Sequence, residues 1–313
     1  MRIAIYGTGG AGGYFGAQLA KAGEDVTFIA RGAHLQAIRE HGLIVETPAG
    51  EVKIQPARAT DRASEIGPVD LVLLGVKAWQ VKEAATAMAP LLGPETLVIP
   101  LQNGVEAADE LVAALGAGPV LGGLCGTFSW VTGPGRIHNI GSKNFIRFGE
   151  VENGRSARAE RLLAVLQHAN IQSEIPTNIQ QALWMKFLVV TAFGGVGALA
   201  RAPIGVLRSL PQTRRLIERC VEETCDLALA RRVGLPDDAV AATLDFIDGL
   251  AASSTTSLQR DIADGKPSEL NYWNGAIVRL AKGNSVSVPT HEIIYDLLLP
   301  LERRSRGQLE FPA

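Results

Sequence analysis

The chain has 313 residues, 47% hydrophobic and 20% charged, with a formal charge of −2. That length exceeds one ordinary core and predicts two domains of a globular protein. The near-neutral charge gives no pull toward nucleic acid or an anionic membrane, and Cys125, Cys220 and Cys225 are too scattered for a disulfide framework or a metal site.

Residues 3–6 read as a short buried strand, followed by Gly7-Thr8-Gly9-Gly10-Ala11-Gly12-Gly13 and a helical stretch. Gly7, Gly9 and Gly12 fit G-x-G-x-x-G in the strand–turn–helix setting of a dinucleotide site. The first glycine makes the tight turn, the second lets the backbone approach a pyrophosphate, and the third lets helix and strand pack. The helix N-terminus then offers N–H groups and partial positive charge to the phosphates. A second strand is expected over 25–30 and a helix over 34–41. Where an NAD site usually ends that strand with an acid, this chain has Arg31. A guanidinium there suits a 2′-phosphate, favouring NADP(H) over NAD(H); the alternative is an exposed surface arginine.

Residues 43–46 and 52–54 flank Pro48-Ala49-Gly50 as a hairpin. Strands buried on both faces are expected over 70–76 and 96–101, with helices over 80–92 and 105–115. This alternation implies a doubly wound parallel sheet. Residues 120–149, rich in Gly, Thr, Ser and aromatics, predict antiparallel strands extending it, with turns near Gly133-Pro134-Gly135 and Gly141-Ser142. A helix over 157–168 and a strand over 172–175 follow.

From residue 177 the strand signals stop. Apolar spacing predicts helices over 178–193, 207–233, 237–250 and 271–282 and a last one from about Thr290, with prolines near the boundaries. The expected architecture is an α/β Rossmann-type domain over 1–176 and an all-helical domain over 177–313, with a ligand between them. No leader precedes the first strand, and no apolar run approaches the roughly twenty residues of a membrane span. A cytoplasmic protein with no membrane partner is therefore expected, its apolar helix faces leaving room for a homodimer.

Lys77, in Val76-Lys77-Ala78-Trp79-Gln80, and Asn103, in Gln102-Asn103-Gly104, each follow an expected strand at its carboxyl end. Alone each reads as turn chemistry; two in succession after a glycine turn favour cofactor contact. Lys186 lies in the apolar segment Leu183–Val190. It reads either as a lysine snorkelling from a half-buried helix or as a general acid whose ammonium sits in a partly dry site. Glu269 opens an expected helix, as a first-turn acid or as a site residue. Ser253, Ser254, Thr255, Thr256 and Ser257 read as a polar loop or a helix start.

These landmarks, in this order, resemble the ketopantoate reductase family over nearly the whole chain: GTGGAGGYFG, Arg31, VKAWQ, QNG, the lysine of ALWMKF, and SLQRDIADGKPSELNYWNG. The resemblance implies reduction of the 2-oxo acid ketopantoate to pantoate with NADPH, a step toward pantothenate. It implies that Gly7, Thr8, Gly9, Ala11 and Gly12 hold the pyrophosphate, Arg31 the 2′-phosphate, and Lys77 the cofactor near its ribose phosphate. Asn103 then stands near nicotinamide and substrate, Lys186 is the catalytic lysine, Ser257 contacts substrate, and Glu269 lies beside the reacting centre. No metal is implied.

One departure bears on substrate. The family often carries asparagines four and eight residues after the lysine, where this chain has Val190 and Gly194. Neither side chain can donate a hydrogen bond, so a 2-oxo acid with a more apolar branched or aromatic tail is an alternative substrate. An alternative of another class is a non-catalytic NADPH-binding sensor, which would need only the nucleotide half.

Overall fold

The computed structural model describes residues 1–141 and 143–312; Ser142, half of one expected turn, lies outside them. Contacts divide the chain into two compact units, Met1–Gln102 with Glu106–Ala182 and Asn103–Val105 with Leu183–Ala313.

The first unit opens with β1 (Arg2–Tyr6), α1 (Gly10–Lys21), β2 (Asp25–Ile29) and α2 (Gly32–His41). The hairpin β3 (Leu43–Thr47) and β4 (Gly50–Ile54) follows, then β5 (Arg58–Thr60), β6 (Leu71–Leu74), α3 (Val81–Ala87), β7 (Leu97–Pro100) and α4 (Ala107–Leu115). Next come β8 (Leu121–Gly126), β9 (Ser129–Gly133), β10 (Arg136–Asn139), β11 (Phe145–Glu150), α5 (Ala157–His168) and β12 (Gln172–Glu174). The main sheet runs β5-β2-β1-β6-β7, parallel throughout. Side chains alternate across a strand, and the two faces hold separate cores. Ile3, Ile5, Leu71 and Leu73 pack with Phe15 and Phe28. Ala4, Tyr6, Val72 and Leu74 pack with Val81 and Leu111. Burial on both faces is why these strands read as unbroken apolar runs.

Three local expectations are corrected. Of the strands of 120–149, β8 adjoins the parallel sheet through a bridge from Val120, the residue before it, to Val98 of β7, as expected, but β9 and β10 do not extend it. β9 and β10 join the hairpin in a sheet ordered β4-β3-β10-β9, in which β10 runs parallel to β3. β8 and β11 pair antiparallel in a third sheet, with β12 alongside β11. An unpaired edge recruits whatever strand reaches it, and alternation along a strand does not say which edge that is. The helix over 80–92 shrinks to α3, flanked by 3-10 turns at Ala78–Gln80 and Ala89–Leu91, the second carrying Pro90. The helix over 207–233 is two, Ile204–Ser209 and Pro211–Ala230, parted where Pro211 starts the second.

The second unit receives most of α6 (Ile179–Ala200) and adds α7 (Ile204–Ser209), α8 (Pro211–Ala230) and α9 (Ala239–Asp248). It ends with α10 (Ser257–Ala263), α11 (Asn274–Asn284) and α12 (Pro289–Ser305). Contrary to the sequence expectation, α6 is long and apolar enough to cross a membrane, and most of its apolar length is buried inside the chain. Its Leu188, Ala192, Phe193 and Val196 form one core with Ile217, Val221 and Trp273, which is why it is apolar nearly all round.

Candidate functional site

The glycine turn sits at the carboxyl end of β1. Gly7 adopts φ 100°, a left-handed region open to glycine at little cost. The N–H groups of Gly7 and Thr8 donate to the Ile29 carbonyl at 3.2 and 3.1 Å, and the Thr8 hydroxyl donates to the same oxygen at 3.0 Å. The turn is thereby tied to the last residue of β2, two positions before Arg31. A Cβ on Gly12 would collide with the Gly7 carbonyl, so α1 can start this close only with glycine there. Gly9 N-caps α1 without a side-chain cap, and the first turn, which includes Ala11, holds no acid. A helix N-terminus left to backbone donors, beside a turn that side chains would fill, fits a pyrophosphate.

Arg31 N-caps α2 and is exposed. Its Nη2 lies 3.5 Å from Glu83 Oε1, a residue in the first turn of α3. Tyr6 lies close by: burial raises its phenol pKa, and the Arg31 guanidinium opposes the shift. Lys77 is half-buried at the N-cap of the 3-10 turn Ala78–Gln80, its ammonium 5.8 Å from the Trp79 ring centroid. Gln102 steadies this loop, a role the sequence reading missed. Its buried Nε2 donates to the Leu74 and Val76 carbonyls at 2.9 and 2.8 Å. The signal was a glutamine closing one parallel strand beside the end of its neighbour.

The second unit gathers the other expected residues. Lys186 is half-buried on α6 among the buried Leu183, Trp184, Phe187 and Leu188. Glu269 N-caps the 3-10 turn Leu270–Tyr272 and is only 6% exposed; it is a buried carboxylate, not a surface acid opening a regular helix. Ser257 begins α10, where Thr256 is the N-cap and forms a capping box with Gln259. The polar run therefore ends in a helix start. Asn103 groups with this unit, and its neighbour Gly104 (φ 117°) packs so that a Cβ would lie 3.2 Å from the Tyr272 carbonyl. The Asn103 loop thus lies against the turn that Glu269 opens.

Gly194 explains the departure noted in the sequence. A Cβ there would lie 2.6 Å from Trp273 Cζ3 and 3.2 Å from Thr256 Oγ1. The indole rests on the backbone of α6, so an asparagine fits only if Trp273 moves. Trp273 is 1% exposed, and its indole N–H has no hydrogen-bond partner among the described residues. Trp273 escaped the sequence reading because it does not stand out from a helix core; Thr256 reads there only as one of a run of hydroxyls.

Two family models match this chain: "Ketopantoate reductase PanE/ApbA" over residues 3–153 and "Ketopantoate reductase PanE/ApbA C terminal" over residues 178–302. A 2-dehydropantoate 2-reductase of Mesorhizobium japonicum is 30% identical, covering 97% of each chain. An uncharacterized oxidoreductase of Bacillus subtilis, YkpB, is 28% identical over 94% of this chain and 97% of its own. The crystal structure of a PanE/ApbA family ketopantoate reductase from Ralstonia eutropha JMP134 superposes with TM-score 0.90 at 31% identity, covering 98% of this chain and 100% of the other.

Proposed function

The chain belongs to the ketopantoate reductase family, and from that premise we propose that it reduces ketopantoate to pantoate with NADPH, in pantothenate synthesis. It is an oxidoreductase acting on a CH–OH group, of a family that uses a pyridine nucleotide and small 2-oxo acids. The finer assignment rests on particular residues. Arg31, at the end of β2 where an NAD site carries an acid, supports NADPH. Residues 1–176 are assigned to the nucleotide and 177–313 to the substrate.

Bound NADPH supplies the hydride. Gly7, Thr8, Gly9, Ala11 and Gly12 would hold its pyrophosphate, Arg31 its 2′-phosphate, and Lys77 the region of its ribose phosphate. Asn103 would stand by nicotinamide and substrate. Lys186 would stabilise negative charge on the ketone oxygen and deliver the proton there. Glu269 would orient that ammonium or the forming hydroxyl, and Ser257 would help hold the substrate carboxylate. The observation that carries the reaction is Lys186 itself, a half-buried ammonium on an otherwise apolar stretch of helix.

A panel of 2-oxo acids, each assayed with NADPH and NADH, tests the reading. Ketopantoate with NADPH should give the highest kcat/KM. Tight NADPH binding without turnover on any oxo acid would instead make the protein a sensor. One observation supports a second substrate: Trp273 occupies the place beside Gly194 where a polar side chain could otherwise stand. With no hydrogen-bonding side chain at that position a branched or aromatic tail is rejected less strongly, and such an acid outranking ketopantoate in the panel would replace the first assignment.

A further inference from the structure

His34, in the first turn of α2, is half-buried and belongs to none of the roles assigned above. Its Nδ1 accepts the Gly135 N–H at 2.9 Å, so that nitrogen carries no proton. Its Nε2 faces the Thr8 carbonyl at 2.8 Å, so that nitrogen must carry one. The two partners match the neutral tautomer protonated at Nε2, and burial holds the imidazole pKa below its ordinary value against the Thr8 and Gly133 backbone hydrogen bonds, which raise it.

The bond to Thr8 has a geometric consequence. In a trans peptide the C=O and the next N–H point in opposite directions. With the Thr8 carbonyl held by the imidazole, the Gly9 N–H must point away from α2. Gly9 is the N-cap of α1, so its N–H is among the donors at the end of the helix where a pyrophosphate would lie. The Thr8 amide and hydroxyl are already tied to Ile29, and His34 supplies the remaining main-chain restraint on that residue. The second bond reaches the β9–β10 turn. Strand β9 also crosses the start of α1, where a Cβ on Gly10 would collide with the Ser129 carbonyl.

We infer that His34 is a positioning residue for the dinucleotide: it presets the Thr8–Gly9 peptide so that the Gly9 N–H faces the pyrophosphate before the cofactor arrives. A site ordered in advance does not spend binding energy on ordering itself. The inference rests on the dinucleotide reading of the turn.

Three variants of the full chain test it, with NADPH and NADH affinity read by fluorescence titration. His34→Gln can place a donor near the Nε2 position, whereas His34→Asn reaches only the Nδ1 position and His34→Ala reaches neither. Affinity for both nucleotides should weaken about three- to tenfold in the Asn and Ala variants, the scale of one lost hydrogen bond, and stay within about twofold of wild type in Gln. The kcat at saturating cofactor and the KM for the oxo acid should not change. If the Ala variant does not fold, the Gln–Asn pair decides. A merely structural role would lower the unfolding midpoint and leave affinity alone, and that pattern would overturn the inference, as would equal affinities for Gln and Asn. Wild-type protein that binds neither nucleotide would overturn the dinucleotide reading and this inference together.

Discussion

The dinucleotide turn is built from main chain, whereas the residues assigned to the substrate are side chains brought from four separate segments. At that turn the donors are backbone N–H groups, and the glycines matter for the side chains they lack. In the second unit, Asn103, Lys186, Ser257 and Glu269 come from the loop after β7, α6, the start of α10 and the N-cap of a short 3-10 turn. Damage should therefore differ in kind. A side chain added to the first unit should harm cofactor binding, and a side chain removed from the second should harm turnover.

Lys186→Ala gives the largest expected effect. Loss of a general acid lowers kcat about 10²- to 10⁴-fold, while NADPH affinity measured by titration should stay at the wild-type value. Turnover undiminished in this variant would remove the lysine from the chemistry and blur the contrast between the two units. Gly12→Ala is the mirror case. Its methyl meets the Gly7 carbonyl and approaches Ile5, so α1 must back away at a cost of about 1–3 kcal/mol. Cofactor affinity should drop by about tenfold or more, with kcat at saturation far less changed. Equal loss of kcat would show that the turn does more than hold phosphate.

The same contrast governs what the sequence made legible. β1, the glycine turn and α1 are contiguous, so spacing alone carried both fold and ligand class. Arg31 was readable because its place is defined by the end of β2. β5 was missed because Arg58–Thr60 is a three-residue edge strand with no apolar run. The pairing of β10 with β3 joins residues 90 or more apart in the chain, which no local period reports. The expected end of α6 at Phe193 fell short, since the helix runs through Gly194-Gly195 to Ala200. These glycines let Trp273 and Asn274 lie on the helix. Of the second unit's site, only Lys186 was conspicuous in itself, an ion in an apolar run. Ser257 and Glu269 came from family resemblance, because their neighbourhood is assembled by tertiary packing.

His291 tests the packing of the second unit, away from the residues assigned to chemistry. It is fully buried: Nδ1 accepts from Asn274 Nδ2 at 2.9 Å, and Nε2 faces the Cys220 carbonyl at 3.0 Å and Thr224 Oγ1 at 2.9 Å. Burial lowers its pKa, with the Cys220 carbonyl and the Glu223 charge opposing. A lowered histidine pKa means the unfolded chain takes up the proton first. The stability is then complete above the unfolded value near pH ~6.5 and declines as pH falls from there toward the folded value. Thermal unfolding of wild type should shift downward between about pH 7 and pH 5, and His291→Gln should flatten that dependence while starting from a lower midpoint. An unchanged slope in the variant would assign the acid sensitivity elsewhere.

The smallest effect concerns Arg31, a side chain that the first unit brings to the cofactor. Glu83 sits 3.5 Å from the guanidinium assigned to the 2′-phosphate, both groups largely exposed. A carboxylate there competes with a phosphate for the same cation, and it repels that phosphate directly. With NADH bound there is no such competition. Glu83→Gln should thus tighten NADPH by about two- to fivefold, the range of an exposed ion pair, and leave NADH affinity unchanged. The ratio of the two dissociation constants, taken at low and at high salt, is the measurement, and the gain should shrink as salt screens the charges. An equal change for both nucleotides would mean that Glu83 acts through the shape of the loop rather than its charge, and Arg31 would lose its claim to the phosphate.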